Sequence, residues 1–238
     1  MSEKTSNTRR TNLSPSALTF SWDNCHRCLW LEYNHQLRVP ATMPLVGELA
    51  EMQESYFFSA SGLAAGNPIL TTSMHPDIPL GKVISHGGWV QSTPIKINGE
   101  DSHLDIRGKY DLLIEFENGT YGVIDCKMQA NESNKSKFYS PQLEAYAYAL
   151  ENPVKGEPKQ VSVLGIYAWS LDKPWGDVNH GFGYRVKSSW YPIDRNPLAL
   201  EERLTNFIMM VNGDMPEAKS SCKQCSYISE RDAIIRSQ

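Results

Sequence analysis

The chain lacks the features that would assign it to a membrane, or to nucleic acid by charge alone. No stretch reaches the roughly 18–20 consecutive apolar residues of a spanning helix, so no membrane partner is expected. Basic residues are not in excess: 23 Lys and Arg stand against 27 Asp and Glu, a net charge of -4. That excludes broad nonspecific coating of DNA, which needs clustered cations, and leaves room only for a local basic patch. No glycine-rich phosphate loop and no internal repeat are present, which excludes nucleotide hydrolases of that type and solenoids. There is no secretory leader, and five cysteines in 238 residues are too few for a disulfide scaffold, so a cytoplasmic protein is expected. At 40% hydrophobic the chain can bury a full core. One domain over residues 14–238 is expected, after a polar, disordered tail over residues 1–13.

What is present concentrates in one hairpin. Gly108-Lys109-Tyr110-Asp111 leads into the β-rich run Leu112 to Phe116, and Tyr121 to Ile124 leads into Asp125-Cys126-Lys127, with Asn118-Gly119 between them as a hairpin signal. Two carboxylates beside a lysine are the minimum kit for metal-dependent phosphodiester cleavage: the carboxylates hold a hard cation and the ammonium steadies the attacking water or the phosphate charge. Asp125 and Lys127 share a strand face. Asp111 joins them only in one register. A two-residue Asn118-Gly119 turn pairs Leu112 with Asp125 and sends the aspartates to opposite faces. A three-residue loop with Gly119 left-handed pairs Phe116 with Thr120 and sets Asp111 opposite Asp125. Joint metal binding therefore predicts the bulged loop; an ordinary hairpin with solvent-facing charges is the alternative.

Downstream, Ser140-Pro141-Gln142 opens a run of good helix formers to Leu150, with Ser140 as cap and Pro141 in the first turn. Gln142 and Tyr146 lie one turn apart on one face, placed to touch a nucleic-acid backbone or to orient the metal site. A basic loop, Asn131 to Lys137, leads into this helix. Val161 to Trp169 reads as a buried strand, which makes a strand-helix-strand crossover. Phe182, Tyr184 and Val186 alternate as in a half-buried strand, and Leu198 to Val211 reads as an amphipathic helix.

Four of the cysteines form two pairs, Cys25-x-x-Cys28 and Cys222-x-x-Cys225, a four-thiolate set suited to zinc or an iron-sulfur cluster. Trp22, Cys25, Leu29 and Tyr33 step by three or four and predict one helical face after Ser14-Pro15. A metal clasp would then tie the 14–35 region to the 215–230 region and close a loop of nearly the whole chain.

Gly-x-x-Asp, a strand hairpin, Asp-x-Lys and a Gln-x-x-x-Tyr helix, in this order, resemble the RecB-type branch of the PD-(D/E)XK nuclease superfamily. The resemblance implies a restriction-endonuclease-like α/β fold, a central mixed β-sheet flanked by helices. It also implies Mg2+ or Mn2+ on Asp111 and Asp125, catalysis assisted by Lys127, and substrate binding supported by Gln142 and Tyr146. Ser-x-Ser before Cys-x-x-Cys and Leu-x-Tyr is similar to iron-sulfur nucleases of this type, including CRISPR-associated and AddB-like ones, which implies a 4Fe-4S cluster on Cys25, Cys28, Cys222 and Cys225, with Zn2+ as the alternative. Those relatives carry one amino-terminal and three carboxy-terminal cysteines, whereas this chain carries two and two.

The same resemblance calls for an acidic residue from a helix ahead of the core strands. Pro44 to Glu54 reads as that helix, with Leu45, Leu49, Met52 and Tyr56 as its buried stripe; Glu48 and Glu51 are the candidates, and Glu51 lies nearer the expected position. No histidine accompanies it. The resulting expectation is a DNA exonuclease or end-processing enzyme acting on single strands or duplex ends, in a repair, recombination or defence complex. The alternative is a nucleic-acid-binding or assembly protein that keeps the fold without cleavage.

Overall fold

Two Asn-Gly pairs turn the chain, and they turn it differently. In the computed structural model, which describes residues 9–38, 44–59 and 69–237, Asn98 and Gly99 both have positive φ, 53° and 85°, and Ile97 faces Glu100 across a two-residue turn. That is the geometry such a pair favours in hairpins. Asn118-Gly119 instead belongs to a three-residue loop, with Gly119 at φ 77° and the Phe116 N–H bonded to the Thr120 carbonyl at 2.9 Å. The cause is local. Asn118 Oδ1 accepts from the Thr120 N–H at 3.0 Å and from its hydroxyl at 2.8 Å, an Asx turn that holds residue 120 against the loop.

Those turns organise one mixed sheet. Its spatial order is β2 (Ile69–Leu70), β3 (Gly81–Ile97), β4 (Glu100–Phe116), β5 (Tyr121–Gln129), β6 (Val161–Asp177) and β7 (Gly181–Ile193), and β1 (Asn12–Leu13) adds to β4. β5 with β6 and β1 with β4 pair parallel; the other neighbours are antiparallel. The helices are α1 (Phe20–Asn24), α2 (His26–His35), α3 (Pro44–Ser59), α4 (Ser136–Glu151), α5 (Pro197–Asn212) and α6 (Lys223–Arg236). α4 is the crossover between the parallel strands β5 and β6, as such a pair requires. None of the described helices is long and apolar enough to cross a membrane.

Apolar side chains cover both sheet faces. On one side Leu113, Val123, Ile166 and Ala168 pack with Leu143 and Ala147 of α4, Leu204 and Phe207 of α5, and Leu29 and Tyr33 of α2. On the other, Leu112, Ile114, Ile124, Cys126 and Tyr167 pack with Met74 and Ile78. Arg195 pins α4 from the loop after β7: its guanidinium bonds Glu144 at 3.1 Å, Glu151 at 2.9 Å and the Val161 carbonyl. Glu144 is buried, so this pairing is what makes its charge tolerable there.

Several expectations need correction. The tail becomes ordered before residue 14, because Asn12–Leu13 finds backbone partners at Asp105 and Ile106 and Leu13 is fully buried; residues 1–8 lie outside the described residues. α4 starts at Ser136, with the Ser136 N–H bonded to Asn134 Oδ1 at 2.9 Å, so Ser140 is no cap and Pro141 sits inside the helix. The helix expected through Cys25 is broken there: Cys25 is extended, with φ -158° and ψ 115°, and starts α2. On α3, Met52 and Tyr56 are exposed and Gln53 is buried, its amide bonded to the Tyr167 carbonyl at 3.2 Å; the side chain of Leu45 lies outside the described ones. Phe182, Tyr184 and Val186 are exposed, because β5 ends at Gln129, opposite Ser170, and the β6–β7 ribbon runs on beyond it.

One close approach ties the amino-terminal turn to α4. A Cβ on Gly108 of β4 would lie 2.7 Å from Pro15 Cδ and 2.9 Å from Tyr146 Cε1. Gly108→Ala is therefore expected to cost about 1–3 kcal/mol of stability, as overpacking does. Denaturant unfolding of the two proteins measures this directly.

Candidate active site

The β4–β5 ladder pairs Leu112 with Ile124 and Glu115 with Tyr121, and one further step in that register sets Asp111 opposite Asp125. Beyond Leu112 the strands no longer pair backbone to backbone. The Asp111 carboxylate fills the gap: its Oδ2 accepts from the Cys126 N–H at 2.7 Å. Parallel pairing with β6 continues along β5, Asp125 to Ile166 and Lys127 to Ala168, so a rigid sheet supports both functional side chains.

Each oxygen of Asp125 has a different environment. Oδ1 accepts from the Gln142 amide at 3.2 Å, while Oδ2, buried, lies 2.6 Å from Lys127 Nζ without an aligned hydrogen bond. Tyr146, one turn beyond Gln142, donates to the Lys109 carbonyl at 2.7 Å. Gln142 and Tyr146 are both buried, so they hold Asp125 and the β4 backbone in place from inside the fold. The Lys127 ammonium also lies 5.1 Å from the Tyr139 ring, whose neighbour Phe20 stands 5.7 Å away.

The electrostatics are those of a crowded carboxylate site. Burial, then the adjacent Asp125 charge, raises the Asp111 carboxyl well above its usual range, against the pull of Lys127. Burial pulls the Lys127 ammonium down, but Asp125 and Asp111 outweigh it and raise it above its ordinary value, so it stays charged. Glu54 of α3 belongs to the same group. Burial raises its carboxyl, Lys109 and Lys127 oppose this, and its own charge reaches Asp111. Glu48 and Glu51 are exposed on the same helix. Gln53, anchored to β6, fixes the turn of α3 that carries Glu54 inward.

The residues fit a divalent cation. Asp111 and Asp125 bring two carboxylates together, Glu54 stands near enough for its charge to be felt at Asp111, and the buried Oδ2 of Asp125 faces only the Lys127 ammonium.

A second donor set joins the two ends of the chain. The Sγ atoms of Cys25, Cys28, Cys222 and Cys225 lie within 4.8 Å of one another, with Cys28 to Cys225 at 3.5 Å, Cys28 to Cys222 at 3.7 Å and Cys25 to Cys225 at 4.0 Å. None is in a disulfide. Burial raises the Cys25 thiol, but the Cys28 and Lys219 backbone groups and neighbouring thiols bring it down to about 7, while burial and the surrounding sulfurs push Cys28 far up. Four thiolates cannot share this space without a cation. Cys126 stands apart, buried behind β5 in the second core.

The sequence profile of the PD-(D/E)XK nuclease superfamily matches residues 21–229, a span that includes the Asp111 hairpin, α4 and both cysteine pairs. The chain belongs to that superfamily. Among solved structures, the crystal structure of SSO0001 superposes with a TM-score of 0.51 at 14% identity, covering 93% of this chain and 86% of that one, a likeness of fold. No curated protein sequence matches the chain. Nucleases of this superfamily normally use divalent metals.

Because Asp111 is raised, its charged form opposes folding: without divalent cation, stability falls as pH rises from the ordinary carboxylate range toward the folded value. Asp111→Asn should reduce that slope to the part left by Glu54 and melt higher than wild type in divalent-free buffer. Mn2+ should raise the melting point of the wild type and not that of the variant, as thermal denaturation will show.

Proposed function

We propose that this chain is a metal-dependent nuclease that hydrolyses phosphodiester bonds of DNA, trimming ends, in the cytoplasm. The observation that carries the reading is the meeting of Asp111, Asp125 and Lys127 at the point where β4 and β5 part, with Glu54 in electrostatic reach of Asp111. Asp111 and Asp125 would hold the Mg2+ or Mn2+, with Glu54, in place of Glu51, as the third carboxylate. Glu54 is favoured because its charge is felt at Asp111 whereas Glu51 faces solvent. The bound cation supplies a lowered water pKa and charge neutralisation at the phosphate. Lys127, kept charged by the aspartates, positions the nucleophile and steadies the developing negative charge. Gln142 and Tyr146 act on Asp125 and on the β4 backbone as positioning residues. End trimming and a place in repair, recombination or defence rest on the resemblance to RecB-type enzymes.

The cysteine clasp has a structural role in this reading. A tetrahedral zinc with Zn–S bonds of about 2.3 Å sets its sulfurs ~3.8 Å apart; three of the Sγ pairs here stand 3.5–4.0 Å apart and all lie within 4.8 Å. A four-iron cluster gives each thiolate its own iron and spreads the sulfurs wider. The spacing therefore favours zinc over the iron-sulfur cluster that the resemblance implies.

Labelled linear and circular DNA incubated with Mg2+ or Mn2+ tests the activity. Asp125→Ala and Lys127→Ala should each lower cleavage about 10²–10³-fold. Glu54→Gln should do so as well, while Glu51→Gln stays near wild type. Cleavage that survives Asp125→Ala contradicts the site, and cleavage of the circle contradicts end trimming. Metal analysis of the purified protein should find one zinc per chain, and Cys222→Ser should lose both the zinc and several kcal/mol of stability. A brown protein containing iron contradicts zinc.

A further inference from the structure

Along β4, Ile106, Gly108 and Tyr110 are buried while Arg107 and Lys109 are exposed, and Asp111 follows them in the same alternation where that face passes below the surface. Two cations thus stand in line with a metal-binding carboxylate, at steps of about 6.6–6.8 Å along an extended strand. Trp89 stands beside them on β3, where it pairs with Lys109. It is 69% exposed, and the Arg107 guanidinium lies 5.4 Å from its ring centre. An indole this open in mid-strand adds nothing to the core.

Lys109 links this surface to the catalytic group. Gly87 has φ +57°, and a Cβ there would lie 2.8 Å from Lys109 Cε, 3.2 Å from its Nζ and 3.8 Å from Glu54 Oε2. The lysine stem therefore lies over the glycine, with its ammonium on the side of Glu54. Its charge reaches both Glu54 and His86.

We propose that Trp89, Arg107 and Lys109 form a platform for single-stranded nucleic acid: an unpaired base stacks on the indole while the two cations hold its flanking phosphates. Stacking on an aromatic face flanked by cations is how unpaired strands are held without sequence preference, and a paired base offers no free face. The row of cations would lead the strand toward Asp111. The proposal rests on the nuclease reading for the strand's destination, and its binding step stands apart from cleavage.

The test is fluorescence anisotropy with a labelled single-stranded DNA oligonucleotide and a blunt duplex of equal length, in divalent-free buffer. Trp89→Ala should weaken single-strand binding about ten- to a hundredfold and duplex binding much less, at an unchanged melting temperature. Trp89→Phe should recover most of the loss, and Arg107→Ala should weaken binding and flatten its salt dependence. Wild-type protein that fails to bind the single strand, Trp89→Ala protein that binds like wild type, or equal losses on both DNAs would overturn the platform. Loss at Trp89 in a protein that cleaves nothing with Mg2+ or Mn2+ supports the platform and rejects the nuclease reading. Cleavage with no binding loss at Trp89 does the reverse.

Discussion

Everything at the candidate site depends on the register of one hairpin. Because Gly119 takes the left-handed conformation and Asn118 caps Thr120, Phe116 pairs with Thr120, and five residues further on Asp111 meets Asp125. A slip of one residue would turn Asp111 to the other face and separate the carboxylates. The rest of the sheet then fixes the pair: β6 backs β5 through parallel pairing, α4 supplies Gln142 and Tyr146, and Arg195 clamps α4 through Glu144 and Glu151.

The arrangement of buried carboxylates is costly in itself. Burial raises Asp111 and Glu54, and Asp125 repels both, so the surrounding structure must hold carboxylates that oppose one another. The cysteine clasp contributes to that restraint. It joins residues 25 and 28 to residues 222 and 225, and the amino-terminal segment it anchors sets Pro15 against Gly108 and Phe20 beside Tyr139. The cysteine cluster and the buried carboxylates are thereby coupled through one short stretch of chain.

How much of this could be read beforehand follows from where the information lies. The hairpin and the crossover helix were legible because turn chemistry and strand alternation are local; the bulged loop followed only from requiring Asp111 and Asp125 to share a metal. The four cysteines were legible because their pairs are spaced for a shared metal. Glu54 was missed, since the search for a helical face looked for an apolar stripe, while the inward side of α3 carries Gln53 and Glu54. Polar residues buried toward a functional site break the pattern that periodicity detects. The break at Cys25 was hidden for a related reason: an extended residue inside a helical pattern makes sense only once the partner thiols, two hundred residues away, are in view. Phe182 and Tyr184 alternate like a covered strand, but nothing in their own segment reveals that β5 ends before reaching them.

The central claim is that Asp111, Asp125 and Glu54 hold one cation group between β4 and β5. Diffraction from crystals soaked in Mn2+, recorded where manganese scatters anomalously, tests it most directly. The account predicts an anomalous peak bounded by the three carboxylates, with the Lys127 ammonium drawn off Asp125. A peak elsewhere on the molecule, or an Asp125 still paired with Lys127 at saturating Mn2+, would contradict it.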